Sequence, residues 1–318
     1  MMMDSIEFLS DRANPHIDPV LSIWEWQIPA YLFLGGLVAG IMIIGAAQEL
    51  LWPKTWDRKI SVICAVAAAA ALSLGMLALL LDLSHKLHVF RFYLAFKPLS
   101  PMSWGSWILI FVYPLFALWL LGSLDEKSLP GFVKGSRLLM KLRELAGKRR
   151  RPLLGSLVVL GVLLGIYTGI LLQALMARPL WNTGLLGPLF LASGMSSGAA
   201  FLMLLKQSKK VSRDLLKWDI AVLAVELVLI ALFLVERFSG DLLARESALL
   251  LVTGPFAGSF FGLVVLAGII VPLIMEIGEL SEKMRGTIAA PLLVLAGSFS
   301  FRFILVMAGQ VSGYDMVM

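Results

Sequence analysis

The sequence predicts an all-α protein that crosses a membrane eight times. Of its 318 residues, 59% are hydrophobic and only 15% are charged, and the mean hydropathy is +0.89, far above that of soluble domains. The apolar residues form eight continuous runs, each long enough to cross about 30 Å of hydrocarbon as a helix. Continuous runs favour helices over a barrel, whose strands alternate apolar and polar residues.

Each run has a recognisable place in the chain. The first four, preceded by a tail at 1–25, are expected at 26–52, 58–81, 104–124 and 152–176. A basic connection, 125–151, then precedes runs at 185–206, 216–238, 251–278 and 287–311, and residues 312–318 form a final tail. We therefore expect two four-helix bundles, 26–124 with 152–176 and then 185–311, joined by the basic connection.

The distribution of Lys and Arg predicts the orientation. These residues concentrate in the connections after odd-numbered runs, with nine of them in 125–151. Basic connections stay cytoplasmic, so both termini are expected outside. The net charge of +6 is thus interpreted as a topology signal with contacts to anionic membrane lipids, and not as a nucleic-acid surface. The first 23 residues lack the pattern of a cleavable signal peptide, so the first run is expected to direct insertion.

The two halves show a weak parallel repeat. Residues 29–36 and 187–194 both contain proline, then Leu-Phe-Leu, then small residues at the start of a run. Such repeats are related by an axis along the membrane normal. Close packing on one helix face is expected at glycines spaced by four, namely Gly161, Gly165 and Gly169 in the fourth run and Gly254, Gly258 and Gly262 at the seventh.

Polar residues cluster at the predicted outer ends of the first four runs. Tyr167 lies fifteen residues into the fourth run, about 22 Å along the helix and in the outer third of the membrane. A phenol, a carboxylate and an imidazole around an apolar slot suit a quinone ring and its protons. The candidates are Glu25, Gln27, Tyr31, Asp82, His85, Ser103, Ser106, Tyr167, Thr168 and Gln173.

A simpler interpretation of the same cluster is an interfacial aromatic belt. Trp24, Trp26, Trp104, Trp107 and Tyr31 would then anchor the helix ends at the headgroup level. Asp82 and His85 would be solvated beyond the end of their helix. Spacing alone leaves both interpretations open.

A second group of charges lies deeper. Glu226 in the sixth run and Arg302 in the eighth differ in depth by roughly 7 Å, so they are expected to form an internal ion pair or to belong to a proton path. Charges nearer the helix ends are expected to be ordinary boundary charges: Glu49, Glu276, Glu279, Glu236 and Arg237.

Resident redox metals are not expected in this protein. Its one cysteine, Cys64, cannot hold an iron–sulfur cluster. Two b-type haems need four axial histidines within the helices, whereas the sequence has only His16, His85 and His88, all at or beyond the outer surface. No P-loop, nucleophile elbow or HExxH motif is present.

Several segments together resemble the NrfD/PsrC family, the membrane subunits of polysulfide reductase-like complexes. The matching segments are 24–26, 31–36, 81–83, 100–107, 167–169 and 188–198, with Arg302 and 308–310 near the end. Their order and their positions at helix starts make the combination specific.

The resemblance implies a quinone-reactive subunit in a bacterial or archaeal cytoplasmic membrane. Its quinone, menaquinone or ubiquinone, would bind in the first bundle near the outer face. There it would meet a ferredoxin-like partner with [4Fe–4S] clusters, joined to a molybdopterin enzyme, a multihaem cytochrome or a hydrogenase. By this analogy Asp82, Tyr167 and His85 carry the chemistry, and the subunit is inactive alone. The expected quinone contacts are Glu25, Gln27, Tyr31, Ser103, Trp104, Ser106 and Thr168.

Two rival functions fit parts of the sequence. A secondary transporter would also show a repeat and buried charges, but its site would lie near the midplane between repeats. A purely structural anchor would bind no quinone. Redox-dependent quinone binding distinguishes both from the favoured function.

Overall fold

The computed structural model describes residues 24–83, 85–94, 97, 100–126, 129–175 and 178–312. Most of the two predicted tails, with His16, lies outside these residues. The described part contains eight helices long and apolar enough to span a membrane. They are α1 Gln27–Leu51, α2 Arg58–Asp82, α3 Pro101–Ser123, α4 Arg150–Gln173, α5 Leu186–Met203, α6 Lys209–Ser239, α7 Ala257–Leu280 and α8 Ala289–Val311.

All eight predicted segments are confirmed as helices, and two have shifted starts. Helix α6 begins at Lys209 instead of 216, because its charged first two turns continue the helix beyond the apolar run. Helix α7 begins at Ala257 instead of 251, because a separate helix, Leu242–Val252, ends just before it. Hydropathy detects the apolar part of a helix and does not detect a polar extension.

The middle of α7 departs from α-helical geometry. Residues Phe260–Ile270 form a π-helix, which is rare and is enriched at functional sites. Pro272 lies two residues after its end and has no N–H to donate to the preceding turn. The irregular segment therefore lies where the regular hydrogen-bond ladder is already interrupted.

Short helices occupy the connections. Phe90–Leu94 lies between α2 and α3 and packs on α3. Gly131–Gly135 and the amphipathic Arg137–Lys148 lie in the basic connection, where Arg137–Lys148 packs on α3 and α4. Phe132 and Leu145, one in each of these two helices, are exposed.

Helices α1 and α5 are the most buried and pack against each other. Their contact is built on two glycine pairs with GxxxG spacing, Gly36 with Gly40 and Gly194 with Gly198. A Cβ on Gly40 would overlap the backbone of Gly194, and one on Gly198 would overlap Gly40. Only glycine allows two backbones this close.

The predicted glycine faces have different outcomes. In α4 the close packing is confirmed: a Cβ on Gly161 would lie 2.8 Å from Ile43 of α1, and one on Gly165 would lie 2.7 Å from Leu191 of α5. In α7 the prediction is wrong, because the described residues leave open space around Gly258 and Gly262. Helices α7 and α8 approach most closely further along, at Gly268 and Gly297.

Candidate functional site

Four helix ends meet where the polar cluster was predicted. Helices α1 and α3 begin at this end of the protein and α2 and α4 finish there, and each of the four contacts its sequence neighbours. The connection from Asp82 to Pro101 crosses the same end. Sequence-distant polar groups are thereby brought to one place.

A mostly apolar pocket of about 90 Å³ opens between these helices. Its polar lining consists of three tyrosines and Ser106. The full lining is Tyr31, Met76, Leu79, Leu80, Leu83, Val89, Tyr93, Met102, Gly105, Ser106, Leu109, Tyr167 and Leu171. An apolar cavity with a few convergent hydroxyls is a typical small-molecule site.

Two buried tyrosines form the inner wall of the pocket. Tyr31 of α1 is 5% exposed, Tyr167 of α4 is 6% exposed, and their hydroxyls interact with each other. Gly105 makes the space for the Tyr167 ring. A Cβ on Gly105 would overlap the Tyr167 ring, and one on Gly75 would touch Tyr31 Cδ2 at 3.7 Å. The arrangement presents phenol hydroxyls to an apolar slot.

Asp82 immediately precedes the pocket residue Leu83 and is not itself part of the pocket lining. It is the last residue of α2 and is partly buried, and the next residue, Leu83, lines the pocket. Within the described ranges its carboxylate has no hydrogen-bond or ion-pair partner, and its electrostatic neighbour is Glu25. A partly buried carboxylate close to an apolar slot can accept and release protons.

Tyr93 is a pocket residue that the sequence analysis missed. It lies in the short helix Phe90–Leu94, and with Val89, four residues earlier, it faces the pocket. Burial raises the pKa of Tyr93 above its ordinary value, and nearby Tyr113 adds to the shift. The phenol therefore stays protonated at neutral pH and can donate a hydrogen bond. Val89 and Tyr93 are four residues apart, which places them on one face of a helix, and this spacing could have identified Tyr93 from the sequence.

Several predicted contact residues have other partners. Thr168 donates to the Gly165 carbonyl (2.7 Å) within its own helix, and its methyl group packs near Gly35 of α1. The Ser103 hydroxyl accepts from the backbone N–H of Lys97 (3.0 Å) and so holds the connection above the pocket. The structure places both residues behind or beside the pocket wall, outside its lining.

The remaining predicted residues lie around the mouth. Glu25 and Trp104 are exposed, and Gln27 is partly buried with an Oε1 that has no hydrogen-bond partner among the described residues. His85 is exposed, and its ring contacts His88 at 6.1 Å between centroids. These four residues lie outside the pocket lining that the described part of the protein forms.

The start of α1 is held by the end of α8. The Gln310 amide accepts from the Trp24 N–H and donates to the Trp24 carbonyl, both at 2.9 Å. The Trp24 ring stacks on Trp181, whose Nε1 donates to the Leu305 carbonyl (2.9 Å). Trp24 is therefore packed against protein, which differs from the aromatic-belt interpretation.

Glu226 and Arg302 do not form a direct ion pair, although the two charges act on each other through space. Both are buried, but the ion pairs among the described residues do not include them. The Arg302 guanidinium instead donates to the backbone carbonyls of Leu32 and Phe190, each at 3.1 Å. It also donates to the hydroxyls of Ser193 (3.1 Å) and Ser298 (2.5 Å).

Ser193 connects the two charged groups indirectly. Its hydroxyl accepts from Arg302 and also interacts with the Glu226 carboxylate. Arg302 thus joins α1, α5 and α8, while Glu226 of α6 faces the same hydroxyl. The depths estimated from the sequence placed Glu226 and Arg302 close enough for contact. The guanidinium N–H groups instead donate to the carbonyls of Leu32 and Phe190, which lie nearer.

Two further buried carboxylates were missed or misjudged. Asp219 of α6 and Glu276 of α7 are 0% and 1% exposed, and they interact with each other. The side-chain oxygens of both are buried without a geometric hydrogen-bond partner in the described part of the protein. Asp219 is seven residues before Glu226 on α6, and it also interacts with Ser196.

The expectation of ordinary boundary charges is therefore wrong for Glu276, and it is also wrong for Glu49 and Arg237. Glu49 is 7% exposed and forms a two-point ion pair with Arg150 at 2.7 and 2.9 Å. Arg237 is 7% exposed and donates to the Pro179 carbonyl (2.9 Å). Hydropathy gives the depth of a residue along a helix, but it does not tell which face is covered by protein.

Comparisons with known proteins find relatives along nearly the whole sequence. The family described as "Polysulphide reductase, NrfD" matches residues 14–312. The protein is 31% identical to the C subunit of polysulfide reductase from Wolinella succinogenes, over 91% of this sequence and 94% of that one. It is 28% identical to protein NrfD of Escherichia coli, over 91% and 96%. It is also 24% identical to an Hdr-like menaquinol oxidoreductase integral membrane subunit of Archaeoglobus fulgidus, over 87% and 68%.

The family match covers nearly the whole sequence, including all eight membrane-length helices and the pocket between the first four. The chain is a multi-pass membrane protein that belongs to the NrfD polysulphide reductase family.

Proposed function

We propose that this protein is the quinone-reactive membrane subunit of a respiratory oxidoreductase complex. The observation that carries the proposal is the apolar pocket with buried Tyr31 and Tyr167 on its inner wall. Asp82, next to the lining residue Leu83, has no hydrogen-bond or ion-pair partner among the described residues. A relative named as part of a menaquinol oxidoreductase supports this class of substrate. The pocket lies at one end of α1–α4, whereas a transporter would more naturally have its site at the midplane.

The proposal includes a two-bundle architecture with both termini outside. Contacts of α1 with α2 and α4, and of α3 with α2 and α4, support a first bundle. Contacts of α5 with α6 and α8, and of α7 with α8, support a second. With the basic connection cytoplasmic, the pocket opens at the outer face.

In this function the lining groups handle the oxygens and protons of a quinone ring. The phenol hydroxyls of Tyr167 and Tyr93 donate hydrogen bonds to quinone oxygens, and the apolar wall holds the ring. Asp82 exchanges protons between these oxygens and water. Electrons pass directly between the quinone and the nearest cluster of a partner subunit that lies close to the pocket.

The proposed partner is a [4Fe–4S] ferredoxin-like subunit covering the pocket mouth. Large apolar side chains surround this mouth and are exposed: Leu87 (89%), Leu94 (78%) and Phe90 (52%). Exposed apolar patches of this kind mark protein or membrane contacts. Through this partner the protein would join a molybdopterin enzyme, a multihaem cytochrome or a hydrogenase.

Asp82→Asn and Tyr167→Phe test the site. Each is expected to lower quinol-linked electron transfer by about tenfold or more in the purified complex, since each removes one proton-handling group. Asp125→Asn is the matched control, because Asp125 is exposed in the connection after α3, at the opposite end of the helices from the pocket. Subunit assembly should be unchanged in all three variants. Normal quinol oxidation by both site variants would refute the assignment.

We further propose that the buried acids of α6 and α7 conduct protons. Glu276 and Asp219 interact with each other near one end of these helices, which supports the proposal. Further into the protein, Glu226 interacts with Ser193, and Ser193 accepts a hydrogen bond from Arg302. Carboxyls without a fixed hydrogen-bond partner are free to exchange a proton with a neighbour. Intramembrane ionisable residues are costly and are therefore functional candidates.

Asp219→Asn tests the proton path. In proteoliposomes containing the complex, we expect the number of protons moved per electron to fall by about half or more, because the amide cannot carry a proton. Quinol oxidation with the gradient dissipated should remain above about half of wild type, because the pocket lies elsewhere. Glu282→Gln, which removes a mostly exposed acid, is the control. An unchanged proton-to-electron ratio in Asp219→Asn would rule the path out.

A further inference from the structure

A second pocket, of about 210 Å³, lies at the opposite end of the protein from the tyrosines. It is formed where α1 ends and where α2 and α4 begin. Its lining combines three arginines and one carboxylate with apolar side chains: Glu49, Leu50, Pro53, Trp56, Arg58, Arg150, Arg151 and Leu154.

The floor of this pocket is a polar network. Glu49 accepts from Arg150 Nε (2.7 Å) and Nη2 (2.9 Å), and also from the Ser61 hydroxyl (2.7 Å). Ser61 in turn accepts from the Trp56 indole N–H (2.8 Å), and Arg150 Nη2 donates to Ser123 (2.7 Å). The network occupies Glu49 and fixes Arg150, so their charges cancel within the protein.

Two arginines of the pocket are left with unused charge. Within the described residues, neither Arg58 nor Arg151 has a hydrogen-bond or ion-pair partner. The nearby Asp57 carboxylate accepts from the Lys59 backbone N–H (2.9 Å) and caps α2. The pocket therefore carries two uncompensated guanidinium groups, and the positive N-terminal ends of α2 and α4 add to the attraction for an anion.

The apolar part of the pocket indicates a ligand that has an apolar portion as well as a negative charge. Leu50, Trp56 and Leu154 line it, and the next residue after Leu50, Leu51, is 54% exposed at the end of a membrane-length helix. The site thus lies at a membrane boundary, with charge on one side and apolar surface on the other. A free inorganic anion would use only the charge.

We propose that this pocket binds the phosphate headgroup of an anionic phospholipid. Arg58 and Arg151 bind the phosphate oxygens, the Glu49–Arg150 network holds the pocket open, and Leu50 and Leu154 contact the start of the acyl chains. Basic pockets between helices at a membrane boundary suit such headgroups. The site is separate from the tyrosine pocket and does not depend on the proposed redox role.

Native mass spectrometry of the full-length protein in detergent tests the proposal, with phosphatidylglycerol as the probe and phosphatidylcholine as the neutral comparison. The double variant Arg58→Gln with Arg151→Gln is expected to weaken phosphatidylglycerol binding by roughly tenfold or more. The double variant Lys54→Gln with Lys148→Gln removes the same charge four and three residues before these arginines, outside the pocket lining, and should change binding by less than about twofold.

Three results would overturn the assignment. Equal losses in both double variants would mean general attraction to basic segments. No loss in the arginine variant would mean that the lipid binds elsewhere. Displacement of the lipid by millimolar inorganic phosphate would identify a free anion as the ligand.

Equal thermal stability of both variants without lipid shows that a loss of binding is not a loss of fold.

Discussion

Gly105→Val is expected to reduce quinol-linked electron transfer to below about one hundredth of wild type, because displacement of a reacting group by about 1 Å can cost this much. Even the Cβ of such a residue overlaps the Tyr167 ring, and it lies 2.6 Å from Tyr167 Cε1. Helix α3 and helix α4 must separate, or Tyr167 must rotate into the slot. Either response closes the space that a quinone ring would use.

Steady-state kinetics of the intact complex with a water-soluble quinol measures this effect. Gly155→Val is the matched control, because no described residue lies within 4 Å of a Cβ at that position of α4. It should retain activity within about twofold of wild type and also reports the general cost of valine in a helix. Full activity of Gly105→Val in an assembled complex would contradict the tyrosine pocket as the quinone site.

Arg302→Leu is expected to destabilise the protein by about 3–5 kcal/mol, since buried acceptors lose a charged donor. The guanidinium is fully buried and satisfies the Leu32 and Phe190 carbonyls together with two serine hydroxyls. Leucine removes these charge-assisted hydrogen bonds and leaves Glu226 without a nearby positive charge. The contact between α1, α5 and α8 should loosen as a result.

Thermal unfolding in detergent, followed by size-exclusion chromatography, measures the loss. A fall in Tm of roughly 10 °C is expected for Arg302→Leu. Arg213→Leu is the control, because its ion pair with Glu282 is exposed, 3.4 Å long and worth little. A variant at Arg302 with wild-type Tm but impaired proton movement would assign this residue to the proton path instead of to the packing.

Hydropathy was sufficient to locate the helices, because crossing a bilayer demands a long apolar run whatever its partners are. It was also sufficient to predict that Tyr31, Ser106 and Tyr167 come together, because consecutive membrane helices run in opposite directions and the order of the helices therefore gives the end at which each residue lies. It could not reveal that Thr168 turns to its own helix carbonyl while Tyr93 enters the pocket. The first outcome depends on the Thr168 rotamer and the second on the rotation of the short helix Phe90–Leu94 about its axis, and packing against neighbouring helices decides both.

The buried charges also separate what the sequence predicts from what the tertiary structure determines. Glu226 and Arg302 were identified as buried from the sequence, because charge within an apolar run is unusual. The tertiary structure gave Arg302 acceptors on α1, on α5 and on its own helix, and it brought Asp219 and Glu276 together as a facing pair. Asp219 lies ten residues after the start of α6, close to its polar first turns. A search for apolar runs therefore did not mark it as a buried charge.

The sequence by itself determined the membrane class, the eight helices and the end of the protein at which the tyrosine pocket lies. These follow from the cost of exposing polar backbone and charge to lipid, which acts on each segment separately. Only the tertiary structure decided which side chains face the pocket and what holds Arg302. It also decided where Arg58 and Arg151 converge. Those outcomes depend on helix rotation and on close glycine contacts such as Gly40 with Gly194, which no single segment encodes.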